Sequence, residues 1–251
     1  GDRRSYFAGS FFDPDGRSRY GLTSNAFWVI GGMYEKDTTF KTTILFAFEH
    51  LNSKYGFKTF EPFFEPDTPG VGRIYKLPAG TAENGAVYIH AAAFGVMALF
   101  LMGEPKKAWE QLIKLLPFTH EHISCSPYVM PNSYGENREL NIDGESMLDW
   151  QTGSSNVVLK LMLRFVFGFL PEYEGFFVQP AAWIPFQNYR FAIDYQGGRI
   201  HIDYRNNNTG KRCFTVNGVK QRGSYDASMG IEKLWISRQE NGQELWIEID
   251  D

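Results

Sequence analysis

Two stretches of this sequence bring together side chains that bind anions and hydroxyl groups. In ENGAVYIHA, an acid (Glu83), an amide (Asn84) and an imidazole (His90) lie close together. A carboxylate accepts hydrogen bonds, an amide both donates and accepts, and an imidazole can donate to an anion. The three therefore suit a polar pocket for sugar hydroxyls and an anion. A histidine alone in an apolar run reads as a core residue; the acid and amide ahead of it, at the mouth of the same segment, point instead to a pocket. In MLDWQTGSSN, the residues Thr152, Gly153 and Ser154 precede the apolar run VVLKLMLRFVFGFL. Glycine and small hydroxylated residues at a helix start offer N–H groups and hydroxyls to an anion such as phosphate, and the helix dipole adds roughly half a positive charge there. The same residue types also cap helices without any ligand, so this stretch by itself supports both readings. Trp150, just ahead of it, is grouped with Glu83 and Asn84 as substrate lining.

Other constellations read as ordinary structure. FFDPDGRSR begins like a calcium loop with Asp13, Asp15 and Gly16, but it lacks the closing Glu and a Pro follows its first Asp. HEHISC sets His120, His122 and Cys125 within a short span, yet no second ligand pair lies at zinc spacing. NNNTG between two strand-like segments reads as a turn. No GxSxG elbow, P-loop or GxGxxG occurs, so serine hydrolysis and nucleotide binding have no support.

The elements that must position the two stretches follow from hydrophobic rhythm. Apolar spacing predicts helices over 21–33, 39–56, 85–103, 104–116 and 155–170, the last apolar nearly all round and so buried on most sides. Long loops over 57–84 and 118–146 lie between them; loops of that length in a compact domain are often functional. From about Glu172 the rhythm changes to two: GFFVQP, YRFAIDY, RIHIDYR, CFTVNG, KLWISRQ and ELWIEID read as strands of an antiparallel sandwich. The chain of 251 residues has a net charge of −4 with acids and bases scattered, which excludes a basic stripe for nucleic acid or a polybasic membrane patch. No apolar run reaches the roughly 20 residues of a spanning helix, the opening residues carry no signal-peptide core, and two distant cysteines form no disulfide framework. A cytoplasmic location is the expectation. Aromatic residues make up 16% of the chain, which suits either plain core or stacking on sugar rings.

Taken in order, SNAFWVIGGM, ENGAVYIHA, WQTGSS and VFGFLPEYEGFFVQPAAWIPF resemble glycoside hydrolase family 94, the inverting glycoside phosphorylases. WQTGSSN and QPAAWIPF look closest to its 1,2-β-oligoglucan members. The resemblance implies an α+β multidomain fold: over 1–171 the second half of an (α/α)6 barrel, and over 172–251 an antiparallel, jelly-roll-like β-sandwich. It implies cleavage of β-linked gluco-oligosaccharides, most of all β-1,2-glucans, by inorganic phosphate as co-substrate, giving α-glucose 1-phosphate with no metal or other cofactor. Carried over position by position, phosphate binding falls to His90, Thr152 and Gly153 with Ser154 as a further donor, and Glu83 lines the sugar site. An inverting hydrolase needs one carboxylate to activate water and another to protonate the leaving oxygen. Phosphate is already an anionic nucleophile, so a phosphorylase needs only the acid and accurate positioning.

The departures from the family pattern are specific. The general acid of the family, in a DWND-like stretch, has no counterpart here, and Asp149-Trp150 belongs to the phosphate segment. The upstream phosphate-binding Arg is also unplaced, and Ala82 stands where some relatives carry a basic residue. The chain is therefore expected to be the C-terminal part of a longer enzyme. Its partners would be an oligosaccharide, the upstream portion or a second chain, and a second copy in a homodimer. Two other readings stay open. One is a carbohydrate-binding or regulatory module without chemistry; the other is an α/α-barrel hydrolase pairing Glu83 with Asp149 or Glu145. Turnover separates the first from a phosphorylase, and phosphate dependence separates the second.

Overall fold

The computed structural model describes residues 16–121, 126–148, 153–237 and 244–251. The chain divides into two compact units, Gly1–Val158 and Leu159–Asp251. The fold is α+β, as the change of rhythm predicts.

In the first unit β1 (Tyr20–Gly21) leads into α1 (Leu22–Ile30), which stops at Gly31-Gly32, and α2 (Thr38–Leu51) follows. Asp37 caps α2, its Oδ1 accepting from the Thr39 N–H at 2.8 Å. β2 (Phe60–Glu61) pairs with β1, and β3 (Val87–Tyr88) runs directly into α3 (Ile89–Leu101). α4 (Pro105–Lys114) starts on a proline, whose missing N–H costs nothing at a first-turn position. β4 (Ser133–Tyr134) and β5 (Ser146–Met147) complete a three-stranded sheet with β3. The core lies along α3, where Ala92, Ala93, Val96 and Leu99 are at most 1% exposed. α1 packs on it through Phe27 and Phe94, whose rings lie 5.1 Å apart.

The helix expected over 85–103 starts at Ile89 instead. Gly85 has φ +83°, which a right-handed helix cannot contain, and Val87–Tyr88 is drawn into pairing with β4. The apolar run expected as one long buried helix also divides. α5 (Ser154–Leu161) gives way to a π-type turn over Met162–Val166 and then to strand, and Leu159 is 56% exposed. The run serves two elements: its later part turns into the second unit, where the Ala181 N–H donates to the Phe165 carbonyl at 2.8 Å.

Among its described residues the second unit holds nine strands: β6 (Phe169–Glu172), β7 (Gly175–Val178), β8 (Asn188–Tyr195), β9 (Gly198–Arg205), β10 (Cys213–Val216), β11 (Val219–Gln221), β12 (Ser224–Asp226), β13 (Ile231–Ser237) and β14 (Glu244–Asp250). They form a five-stranded sheet in the order β11-β10-β14-β9-β8 and a four-stranded sheet in the order β12-β13-β7-β6. Phe169 and Phe176 of the smaller sheet meet Tyr195 of the larger one at 5.3 and 6.0 Å. The Tyr195 hydroxyl also donates to the Glu172 carbonyl at 2.7 Å. The sheets are not antiparallel throughout, as the sequence suggested. β14 inserts between β10 and β9, and antiparallel pairing with β10 fixes its direction, which makes it parallel to β9. The division between units lies ahead of the 171/172 boundary read from the sequence, because β6 already pairs with β7. No helix among the described residues is long and apolar enough to cross a membrane.

Arg212 ties the sandwich together. Its side chain is 4% exposed and donates to the carbonyls of Pro180 (2.6 Å), Ala181 (3.2 Å) and Glu232 (3.2 Å) and to Asp251 Oδ2 (2.5 Å). Replacing the guanidinium removes the donor from two buried carbonyls and one part-buried one, and leaves Asp251 Oδ2 with the Tyr204 hydroxyl at 3.2 Å. Arg212→Met should therefore lower stability by about 3 kcal/mol, read as a lower urea midpoint by tryptophan fluorescence. An unchanged midpoint would refute this role.

Candidate functional site

The three-stranded sheet of the first unit positions the residues singled out in the sequence. Across it Val87, Tyr134 and Ser146 align, as do Tyr88, Ser133 and Met147. Because β4 is antiparallel to both neighbours, β3 and β5 run the same way, and the chain leaves both at the same end of the sheet. At that end β3 enters α3, and the chain after Met147 sets out towards Gly153. Two strand spacings of ~4.8 Å put the departure points about 10 Å apart. Strands of two residues need outside support. The Tyr134 hydroxyl donates to the Leu115 carbonyl at 2.9 Å, the Ile89 N–H to the Asn132 carbonyl at 3.0 Å, and the Asn132 N–H to the Met147 carbonyl at 2.9 Å.

His90 is the second residue of α3 rather than a mid-helix residue, so its imidazole and the amino end of the helix share one locality. It is half-buried, and its ring lies 5.1 Å from that of Phe94 one turn on. Glu83 and Asn84 lie ahead of β3, at the opposite end of the sheet from His90. The two residues of β3, which span about 7 Å, stand between them in the chain.

Asn84 is fully buried. Its Nδ2 donates to the Phe64 and Leu77 carbonyls, both at 2.9 Å, and its Oδ1 accepts from the Phe64 N–H at 2.9 Å. The sugar contact expected of it is replaced by a positioning role: the amide clamps the turn that displays Glu83. The Glu83 side chain is 33% exposed and pairs with Arg73. Sequence reasoning missed Arg73, which lies in the Pro/Gly-rich segment 57–84, where no periodicity marks a side chain. It supplies a cation beside Glu83 in the neighbourhood where Ala82 offers none.

Gly153 is exposed at the start of α5, and a Cβ placed there would meet nothing within 4 Å. Ser154 is fully buried, so the open position at this helix start belongs to Gly153 and not to the Ser154 side chain. Trp150 and Thr152, together with Asp149, His122, Cys125, Asp13 and Asp15, lie outside the described residues. His120 is half-buried, burial lowers its pKa, and its Nε2 lies 2.7 Å from the Lys114 carbonyl. No group of three metal-ligating side chains occurs among the described residues.

Glu136 was not anticipated. Burial raises its carboxyl pKa, a hydrogen bond from Ser53 partly offsets this, and its Oε2 has no partner among the described residues. It adjoins the Glu83–Asn84 turn through Gly80, whose carbonyl accepts from the Glu136 N–H at 2.9 Å and whose N–H donates to the Asn84 carbonyl at 2.8 Å. Gly80 has φ +70°, and a Cβ there would come within 2.3 Å of the Glu136 carbonyl oxygen, so no larger residue fits. Acids scattered through a turn-rich loop gave no signal that one of them would be buried.

Two outcomes follow from this geometry. Asn84→Ala strands two buried backbone groups and one part-buried one and should cost about 2–3 kcal/mol in thermal unfolding, whereas a residue spent on a sugar would leave stability unchanged. A carboxyl whose folded pKa is raised favours the folded state below its unfolded pKa, and that advantage is lost as pH rises through the folded value. Glu136→Gln should therefore be more stable than the parent at pH 7 and lose that gain towards pH 4; equal gains at both pH values would contradict the assignment.

Known proteins show the same organisation of sequence. The chain is 26% identical to solabiose phosphorylase of Paenibacillus borealis over 180 residues, covering 69% of this chain and 23% of that protein. It is 28% identical to cellobionic acid phosphorylase of Neurospora crassa over 178 residues, 68% of this chain and 22% of that one. It is 22% identical to the cyclic beta-(1,2)-glucan synthase NdvB of Rhizobium meliloti over 239 residues, 88% of this chain and 8% of that one. The chain thus spans less than a quarter of the length of these relatives. The family described as the glycosyl hydrolase 94 superfamily, catalytic domain, matches residues 9–168, and the chain belongs to that family.

Proposed function

We propose that this chain is the phosphate-binding part of an inverting glycoside phosphorylase that cleaves β-linked gluco-oligosaccharides, β-1,2-glucans above all, to α-glucose 1-phosphate. The observation that carries this reading is the shared exit of β3 and β5. β3 leads into α3, whose second residue is His90, and β5 ends at the same end of one small sheet, ahead of the segment that carries Gly153. Two helix starts and an imidazole are suited to hold a dianion. In this reading Glu83 accepts from sugar hydroxyls, and Arg73, which pairs with it, orients its carboxylate.

In this reading the chain positions the nucleophile and does not create it. Phosphate needs no deprotonation by the protein. It must be held in line with the anomeric carbon, with its charge compensated until the glycosidic bond breaks. His90 donates to one phosphate oxygen, and the N–H groups at Gly153 and Thr152 donate to others. The proton for the leaving sugar comes from a general acid in an upstream portion or a second chain. The helical unit then forms part of an α/α barrel completed by that portion, and no metal or organic cofactor takes part. The names of the relatives, which include a 3-O-beta-D-glucopyranosyl-beta-D-glucuronide phosphorylase and a cyclic beta-(1,2)-glucan synthase, support the substrate class.

The test is release of sugar 1-phosphate from β-1,2-, β-1,3- and β-1,4-linked disaccharides by the enzyme that carries this chain. Release should require phosphate and give the α-anomer. His90→Ala should lower kcat/KM for phosphate about 100-fold while leaving thermal stability within experimental error. Hydrolysis at equal rate without phosphate, or full activity of the variant, would contradict the proposal.

A further inference from the structure

We propose a second sugar-binding surface, on the outer face of the five-stranded sheet and built on Trp246. It rests on the reading that this protein handles β-linked glucose chains. Trp246 is 51% exposed, and one face of its indole is taken by the His201 ring, 3.9 Å away and within 2° of parallel. The exposed surface therefore belongs to the other face and the ring edges. The stack is fixed before any ligand arrives. His201 Nε2 lies 2.6 Å from Glu244 Oε1, the Trp246 N–H donates to Asn217 Oδ1 at 2.9 Å, and the Asn217 N–H donates to the Trp246 carbonyl at 2.8 Å. Little side-chain entropy remains to be lost on binding.

The neighbours decide what can sit there. Trp246 and His201 are in register across the parallel pair, with Ala192 next in the row on β8, so the row is low at its far side. On the other flank β10 has ended at Val216, and among the described residues the Asn217-Gly218 turn follows beside Trp246. Along β14 the ring stands between Glu244 and Glu248, both exposed. A single indole offers on the order of 100 Å² of apolar surface, far short of the ~800 Å² per partner of a stable protein interface. A ring flanked by carboxylates is also unlike the charge-depleted centre of such an interface. It does match a pyranose, whose C–H face stacks on an aromatic ring while its hydroxyls donate to carboxylates. The occupant assigned is thus a neutral hydroxylated sugar chain, held at a surface separate from the His90 site.

The test is electrophoresis of the 251-residue chain through native gels containing soluble β-1,2-, β-1,3- or β-1,4-glucan, with size-exclusion chromatography alongside. The wild type should be retarded by at least one glucan, and Trp246→Ala should weaken the apparent affinity about tenfold. His90→Ala should be retarded like the wild type, so this outcome stands even if phosphorolysis is never observed. An unretarded wild type, or equal retardation of the Trp246 variant, would overturn the proposal. So would loss of a dimer on substituting Trp246, which would make the occupant a second copy of the chain.

Discussion

The buried Asn84 amide satisfies two carbonyls and one N–H of the segments around Phe64 and Leu77, and much of the first unit depends on that arrangement. Those segments come from the long connection that a sequence reading leaves as loop. An amide side chain suits the task because it presents a donor and an acceptor in one plane at fixed separation. With the turn clamped, Glu83 projects from its tip, Gly85 breaks the helical path at φ +83°, and the next residues are free to pair with β4. The position of His90 in the first turn of α3 follows from that late helix start.

Strands of two residues contribute little stability by themselves. Their value here is directional. A central strand antiparallel to both neighbours makes the outer two parallel, so two segments far apart in sequence leave at one end of the sheet. Tyr134, fully buried and bonded to the Leu115 carbonyl, anchors the central strand to the end of α4. The helical layer therefore fixes the small sheet, and the small sheet fixes where the segments proposed to hold the anion begin. Glu83 precedes β3 in the chain and His90 follows it, in the first turn of α3.

The sequence carried the parts of this arrangement that depend on periodicity. α2 and α4 were legible from apolar spacing and their start signals, and the long sandwich strands from alternation and turn residues. The elements it hid are those fixed by distant partners. β3, β4 and β5 are too short for any period to show. The direction of β14 depends on where it inserts, which alternation does not encode. The candidate residues were legible by type but not by duty: Asn84 proved to be a structural clamp and Ser154 a buried residue, while Arg73 and Glu136 lay in loops where only the fold reveals their neighbours. Trp246 read as one more aromatic in a strand, and its exposure becomes apparent only once His201 is known to lie beside it.

The central claim is that one anion site is assembled from the starts of α3 and α5. Its most direct test is a crystal structure of the protein soaked in tungstate, a heavy phosphate analogue located by its anomalous signal. The account predicts a single strong peak within hydrogen-bonding distance of both the His90 imidazole and the Gly153 N–H. A peak elsewhere with His90 unoccupied, or an anion on His90 with Gly153 remote from it, would contradict the account.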